Sequence, residues 1–147
     1  MAGFTVTKHI AASPAEVFER ASDFAGAPRS IEAITAVELL TEGPVGVGTR
    51  FRETRRMFGR EAVEEMEVTE FEPPRRYVLG CSNHGCRYRT ELGFSERDGG
   101  TDVRMTFEAE PVTAFARIMT VLMKPLMKGL VKTCAKDLDD LGASIEH

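Results

Sequence analysis

The chain is poor in the features that specialise a small protein. Its 147 residues include 3 cysteines. That number is odd and too sparse for the disulfide framework of a secreted mini-domain, so a reducing, cytoplasmic setting is expected. Basic residues do not predominate. Lys and Arg number 19 against 23 Asp and Glu, a net charge of −4, which excludes a general electrostatic footprint for nucleic acid. No apolar run reaches membrane length. The most apolar stretch, Ile118 to Val131, is broken by Lys124, Pro125 and Lys128, whereas a spanning helix needs about 20 predominantly apolar residues. The first ten residues lack a basic region followed by an apolar run, so no signal peptide is expected. Internal repeats, a phosphate-cradling glycine loop, a dinucleotide fingerprint and a Ser-His-Asp arrangement are all missing, and no cofactor is expected.

What remains is ordinary globular composition, 42% hydrophobic and 29% charged, in a length that suits one domain over residues 1–147. Phe4, Val6 and Ile10 alternate with Thr5, Thr7 and His9, which is strand periodicity. The period then changes. Ser13 suits an N-cap, Pro14 the first helical position and Glu16 the closing position of a capping box, with Val17, Phe18 and Ala21 as the apolar side. This short helix stops near Asp23-Phe24, a second helical piece falls around Pro28 to Ala33, and Val37 and Leu39 begin another strand.

From Thr49 to Glu110 the pattern is an antiparallel meander. Its turns fall at Phe58-Gly59-Arg60, Glu72-Pro73-Pro74-Arg75, Ser82-Asn83-His84-Gly85 and Asp98-Gly99-Gly100. Tight turns place Phe51 opposite Val68, Arg52 opposite Glu67, Arg55 opposite Glu64 and Val68 beside Leu79. They also place Leu79 beside Tyr88, Arg89 opposite Glu108, Thr90 opposite Phe107, Leu92 opposite Met105 and Phe94 opposite Val103. One face of the sheet is then mostly apolar and covered. The other carries Arg52, Arg56, Glu65, Glu67, Arg89 and Glu108 and is wet. The cover is the segment from about Thr113 to Ile145, where Phe115, Ile118, Met119, Leu122, Leu126, Leu130, Cys134, Leu138, Leu141 and Ile145 follow helical spacing. Pro125 should kink it.

This α+β order, a curved antiparallel sheet wrapped around a long C-terminal helix with two short helices after the first strand, resembles the helix-grip fold of the SRPBCC superfamily. That superfamily includes START-like domains, polyketide cyclase/dehydrase-like proteins and pollen-allergen-like proteins. The resemblance covers essentially the whole chain. It is carried by residues 10–18 (IAASPAEVF), 43–49 (GPVGVGT), 71–76 (FEPPRR) and 99–101 (GGT). Where the family frequently has a tryptophan after the second short helix, this chain has Ile31, and it has no Trp at all. The resemblance implies a cavity between sheet and helix for a small hydrophobic ligand such as a lipid, a quinone or a polycyclic aromatic compound.

The residues expected to line that cavity are Phe51, Glu53, Arg55, Met66, Tyr88 and Phe107 from the sheet and Phe115, Met119 and Met123 from the helix. Glu53, Arg55 and Tyr88 would serve the polar end of a guest. The plainer role for Arg55 is an ion pair with Glu64 that holds strands together. Two alternatives stay open. One is an enzyme of the cyclase/dehydrase kind using the same cavity, with no catalytic residue assignable. The other is a protein-interaction domain, by analogy with chaperone-activator and ribosome-associated relatives. Cys81, His84 and Cys86 form a Cys-x-x-His-x-Cys run, but this is not a standard zinc spacing and it sits across a hairpin turn, so no metal is expected. Oligomeric state is not legible.

Overall fold

The alternating segments become one seven-stranded antiparallel sheet in a computed structural model, which describes residues 2–83, 85–122, 125 and 127–146. The strands are β1 (Ala2–Ile10), β2 (Ile34–Leu39), β3 (Arg50–Met57), β4 (Arg60–Glu72), β5 (Arg76–Asn83), β6 (Cys86–Arg97) and β7 (Gly100–Pro111). Their order across the sheet is β1-β7-β6-β5-β4-β3-β2. Helix α1 (Pro14–Ser22) follows β1, then a 3-10 turn (Phe24–Gly26) and the short α2 (Ala27–Ser30). Ser13 caps α1 by accepting from the Glu16 backbone N–H at 3.2 Å, which satisfies one of the donors that a helix start leaves open.

The C-terminal cover is two helices, α3 (Ala114–Leu122) and α4 (Met127–Glu146). Pro125 lies between them, so the kink expected there is a division of the segment. Thr113 opens α3, its hydroxyl accepting from the Ala116 N–H at 3.0 Å.

The register needs two corrections. In β3–β4 the ladder closes at Met57 opposite Arg60, so Phe51 faces Met66, Arg52 faces Glu65 and Arg55 faces Ala62. The expected partners were two residues further along β4. In β5–β6 the ladder closes at Asn83 opposite Cys86, which sets Leu79 against Thr90 and Tyr88 against Cys81. Both slips are even, so each side chain keeps its face. The first has a clear cause. Phe58 occupies the left-handed region, with φ 55° before Gly59 at 75°, a conformation bulky residues avoid, yet the turn closes on the two residues Phe58-Gly59, with Arg60 already in the ladder. The β6–β7 partners stand as expected, Arg89 opposite Glu108 and Phe94 opposite Val103, because Asp98-Gly99 is an ordinary two-residue hairpin turn.

The core fills one end of the space between sheet and helices. Phe18 meets Phe94 at 5.2 Å and Phe24 stacks on Phe51 at 4.5 Å between ring centres. Val17, Val68, Val103, Leu138 and Leu141 complete that buried cluster. Apolar burial of this kind contributes roughly 1.5–3 kcal/mol per side chain. α1 and the second half of α4 thus close one end tightly, and α3 is left over the other.

Candidate functional site

Beneath α3 and the first half of α4 lies an apolar cavity of about 1840 Å³. Phe51, Met66, Leu79, Tyr88, Thr90 and Phe107 form its floor, on the inner face of the sheet, and Leu130 and Cys134 lie on its helical side. Tyr88 stacks on Phe107 at 5.8 Å on the floor, and Phe107 in turn stacks on Phe4 at 5.3 Å beside it. Phe115 and Met119 line the same space but from its rim, where both remain exposed to solvent. Met123 lies outside the described residues, and so does His84 of the Cys-x-x-His-x-Cys run. No group of metal-ligating side chains is present among the described residues.

A charge cluster is buried in the cavity wall. Arg55 Nε donates to Glu53 Oε2 at 3.1 Å, and Arg55 Nη2 donates to Asp137 Oδ2 at 2.9 Å. About a tenth of each side chain is exposed. The Arg55–Glu64 pair expected from sequence is not formed. Glu64 sits opposite Glu53 in the ladder and accepts from Asn83 Nδ2 at 2.9 Å and from the Cys81 thiol at 3.4 Å. Two inward carboxylates directly across strands repel, and each has found a different donor.

Two carboxylates around one guanidinium leave a surplus negative charge where burial makes it costly. Burial pushes the carboxyl of Glu53 above the ordinary carboxylate range, with Arg55 pulling it back. Asp137 is raised for the same reasons in the same order. Burial alone would lower the Arg55 guanidinium, but Glu53 and Asp137 hold it above its usual value. Asp137 Oδ1 is buried and has no hydrogen-bond partner among the described residues. A buried acceptor of this kind asks for a donor. Burial raises the nearby thiols and phenol too. Burial raises the Cys81 thiol to about 12, with Glu64 adding to it, and the Cys134 thiol to about 11. Tyr88 is pushed up to about 12, again chiefly by burial.

Leu79, Thr90, Leu130 and Cys134 join the lining beyond the residues expected, and Asp137 is the charged site residue that sequence reasoning missed. Its signal was present, since it falls between Cys134 and Leu141 on the apolar stripe of α4, three residues after one and four before the other.

The profile of a family described as polyketide cyclase/dehydrase and lipid transport matches residues 1–146. No curated protein matches the sequence. Among solved structures, a protein from Thermus thermophilus superposes with a TM-score of 0.80 at 21% identity, covering 97% of this chain and 95% of that one. The Zhui aromatase/cyclase from Streptomyces gives 0.78 at 17%, covering 97% and 92%. Major latex-like protein 151 from Panax ginseng gives 0.78 at 10%, covering 97% and 96%. At these identities the likeness is one of fold.

Proposed function

The chain belongs to the polyketide cyclase/dehydrase and lipid transport family, and from that premise we propose that it is a single cytoplasmic, cofactor-free domain that binds or carries a small hydrophobic ligand in the cavity. The observation that carries this reading is the cavity itself, about 1840 Å³ of largely apolar space, enough for a drug-sized or larger guest. The wall charges refine the class of guest. Arg55 is already neutralised by two carboxylates, Glu64 adds a third acidic group to the lining, and Asp137 Oδ1 has no donor among the described residues. A carboxylate guest would meet repulsion. A guest with a hydroxyl or phenol at its polar end, such as a polycyclic phenol, a hydroquinone or a long-chain alcohol, would supply the missing hydrogen bond.

Titration with the neutral fluorescent probe N-phenylnaphthylamine tests the cavity. Saturable binding on the order of 1 μM is expected, about −8 kcal/mol. Met66→Trp, which fills the floor, should weaken it at least about tenfold, on the scale of losing 1.4 kcal/mol, without changing the circular dichroism spectrum. Displacement of the probe by a long-chain alcohol but poorly by the carboxylate of equal length supports the class of guest. No saturable binding, or binding indifferent to Met66→Trp, removes the carrier reading.

One observation favours an enzyme as the second reading. Glu53 and Asp137 are carboxyls held toward their protonated forms inside an apolar cavity, as a general acid for dehydration or ring closure would need. Turnover of an aromatic polyketide precursor, lost in Asp137→Asn while probe binding survives, would establish it.

A further inference from the structure

α3 presents a surface that a water-exposed helix rarely has. Phe115, Ile118, Val121 and Leu122 are 72%, 61%, 71% and 66% exposed, while Ala116, the anchor of the helix, is only 3% exposed. Gly85, in the β5–β6 turn, packs beneath that anchor; a Cβ there would stand 3.3 Å from the Ala116 methyl. Phe58, at the tip of the β3–β4 hairpin, is 60% exposed and also lines the cavity. The apolar surface is therefore continuous from the cavity, over its mouth, to the outside of α3. An exposed apolar area of this kind marks an interaction site.

The charge at this face is opposite to that of the molecule. The chain carries a net charge of −4, yet the sequence has no acidic residue between Glu110 and Asp137. Arg117, Lys128 and Lys132 in this stretch are exposed and form no ion pair among the described residues. Arg56 and Arg60 flank Phe58 on the hairpin, with Glu61 offsetting one of them. Exposed aliphatic and phenyl side chains of α3, bordered by Arg117 and by Lys128 and Lys132 of α4, are the composition of a surface that lies in a lipid interface. A protein interface would be richer in Tyr, Trp and Arg and poorer in Lys.

We propose that the face formed by α3, the start of α4 and the β3–β4 tip docks on an anionic lipid bilayer, and that the cavity mouth opens onto it. The apolar side chains of α3 enter the boundary between headgroups and acyl chains, and the basic side chains meet lipid phosphates. Passage of a guest between bilayer and cavity would then avoid water; that last clause alone rests on the carrier reading.

Co-sedimentation with phosphatidylcholine vesicles, with and without phosphatidylglycerol, tests the docking. The protein should pellet with the phosphatidylglycerol vesicles and not with pure phosphatidylcholine, and high salt should release it. Lys128→Glu with Lys132→Glu should weaken binding about tenfold or more. Ile118→Glu with Val121→Glu should abolish it, and both substitutions fall on exposed side chains. Binding of N-phenylnaphthylamine reads the cavity separately. Vesicle binding lost in every form while the probe still binds overturns the docking and leaves the carrier reading intact. Vesicle binding without probe binding supports the docking and removes the carrier reading. Equal pelleting with both vesicle types overturns the proposal. So does concentration-dependent dimerisation that Ile118→Glu removes in a protein that ignores vesicles, which would assign the face to a second copy of the chain.

Discussion

Arg55 Nη2 donates to Asp137 Oδ2 across 2.9 Å, joining the third strand to the last helix over a separation of 82 residues. The bond fastens the helical cover to the sheet from inside the cavity, next to Glu53. Removing the cation strands two buried carboxylates. Arg55→Met should cost about 3–5 kcal/mol near neutral pH, and part of the loss should return in acid as the carboxyls protonate. Urea unfolding across pH measures both.

Asp137→Asn should behave oppositely. A carboxyl whose folded pKa is raised contributes stability below its unfolded value and loses that contribution as the pH rises through the folded value. Glu53 and Asp137 are both raised. Relative to the parent, Asp137→Asn should therefore gain stability as the pH rises from about 4, since Arg55 and Glu53 then balance one another. A variant that instead loses ground as the pH rises would show that Asp137 is held ionised.

Thiol reactivity follows from the same burial. With Cys81 raised to about 12 and Cys134 to about 11, both should alkylate with iodoacetamide at mildly alkaline pH about a hundredfold or more slowly than a free thiol. Mass spectrometry of a time course reads this directly. Rapid labelling of Cys134 would mean that the cavity wall opens widely in solution.

Thr101 is fully buried, and its hydroxyl donates to the Ala12 carbonyl at 2.7 Å. Thr101→Val keeps the shape and removes the donor, so it should cost about 1–3 kcal/mol. Thr101→Ser keeps the bond. Should valine prove as stable as threonine, the Ala12 carbonyl has another donor.

Phe58 sits in the left-handed region, against a glycine of α4; a Cβ at Gly129 would stand 2.7 Å from its ring. Phe58→Asn supplies a residue suited to that conformation before Gly59. Stability should hold or rise by roughly 1 kcal/mol, because the ring is largely exposed, while N-phenylnaphthylamine should leave the cavity faster in stopped flow. A marked loss of stability would mean that the ring clamps α4 to the hairpin.

The faces of the strands were legible because a strand alternates strictly, and an error of two residues in a ladder leaves every side chain on its side. Partners were less legible. They depend on which two residues make the turn, and a phenylalanine in the left-handed region defeats the usual rules. Glu53 and Arg55 stood out as charges on an apolar face. Their partner Asp137 did not, because the long apolar stripe of the last helix outweighed one acidic residue within it. Phe115 and Met119 fit the helical stripe, but whether a stripe faces the sheet or water depends on where Pro125 divides the cover, and spacing alone carries no such information.

β1 and β2 follow one another in the chain but stand at opposite edges of the sheet. Every partner of β1 lies between Thr101 and Ala109. A chain emerging from the ribosome therefore carries its first strand unpaired for roughly 5–20 seconds at ordinary rates of synthesis, with Phe4, Val6 and Ile10 uncovered throughout. β7 takes up β1, then α4 packs Gly142 against Ile10 and sets Asp139 3.3 Å from Lys8. A product released before β7 would hold a sheet with β6 as an open edge, a loose first strand and no cover, the combination that exposes a nascent chain to aggregation.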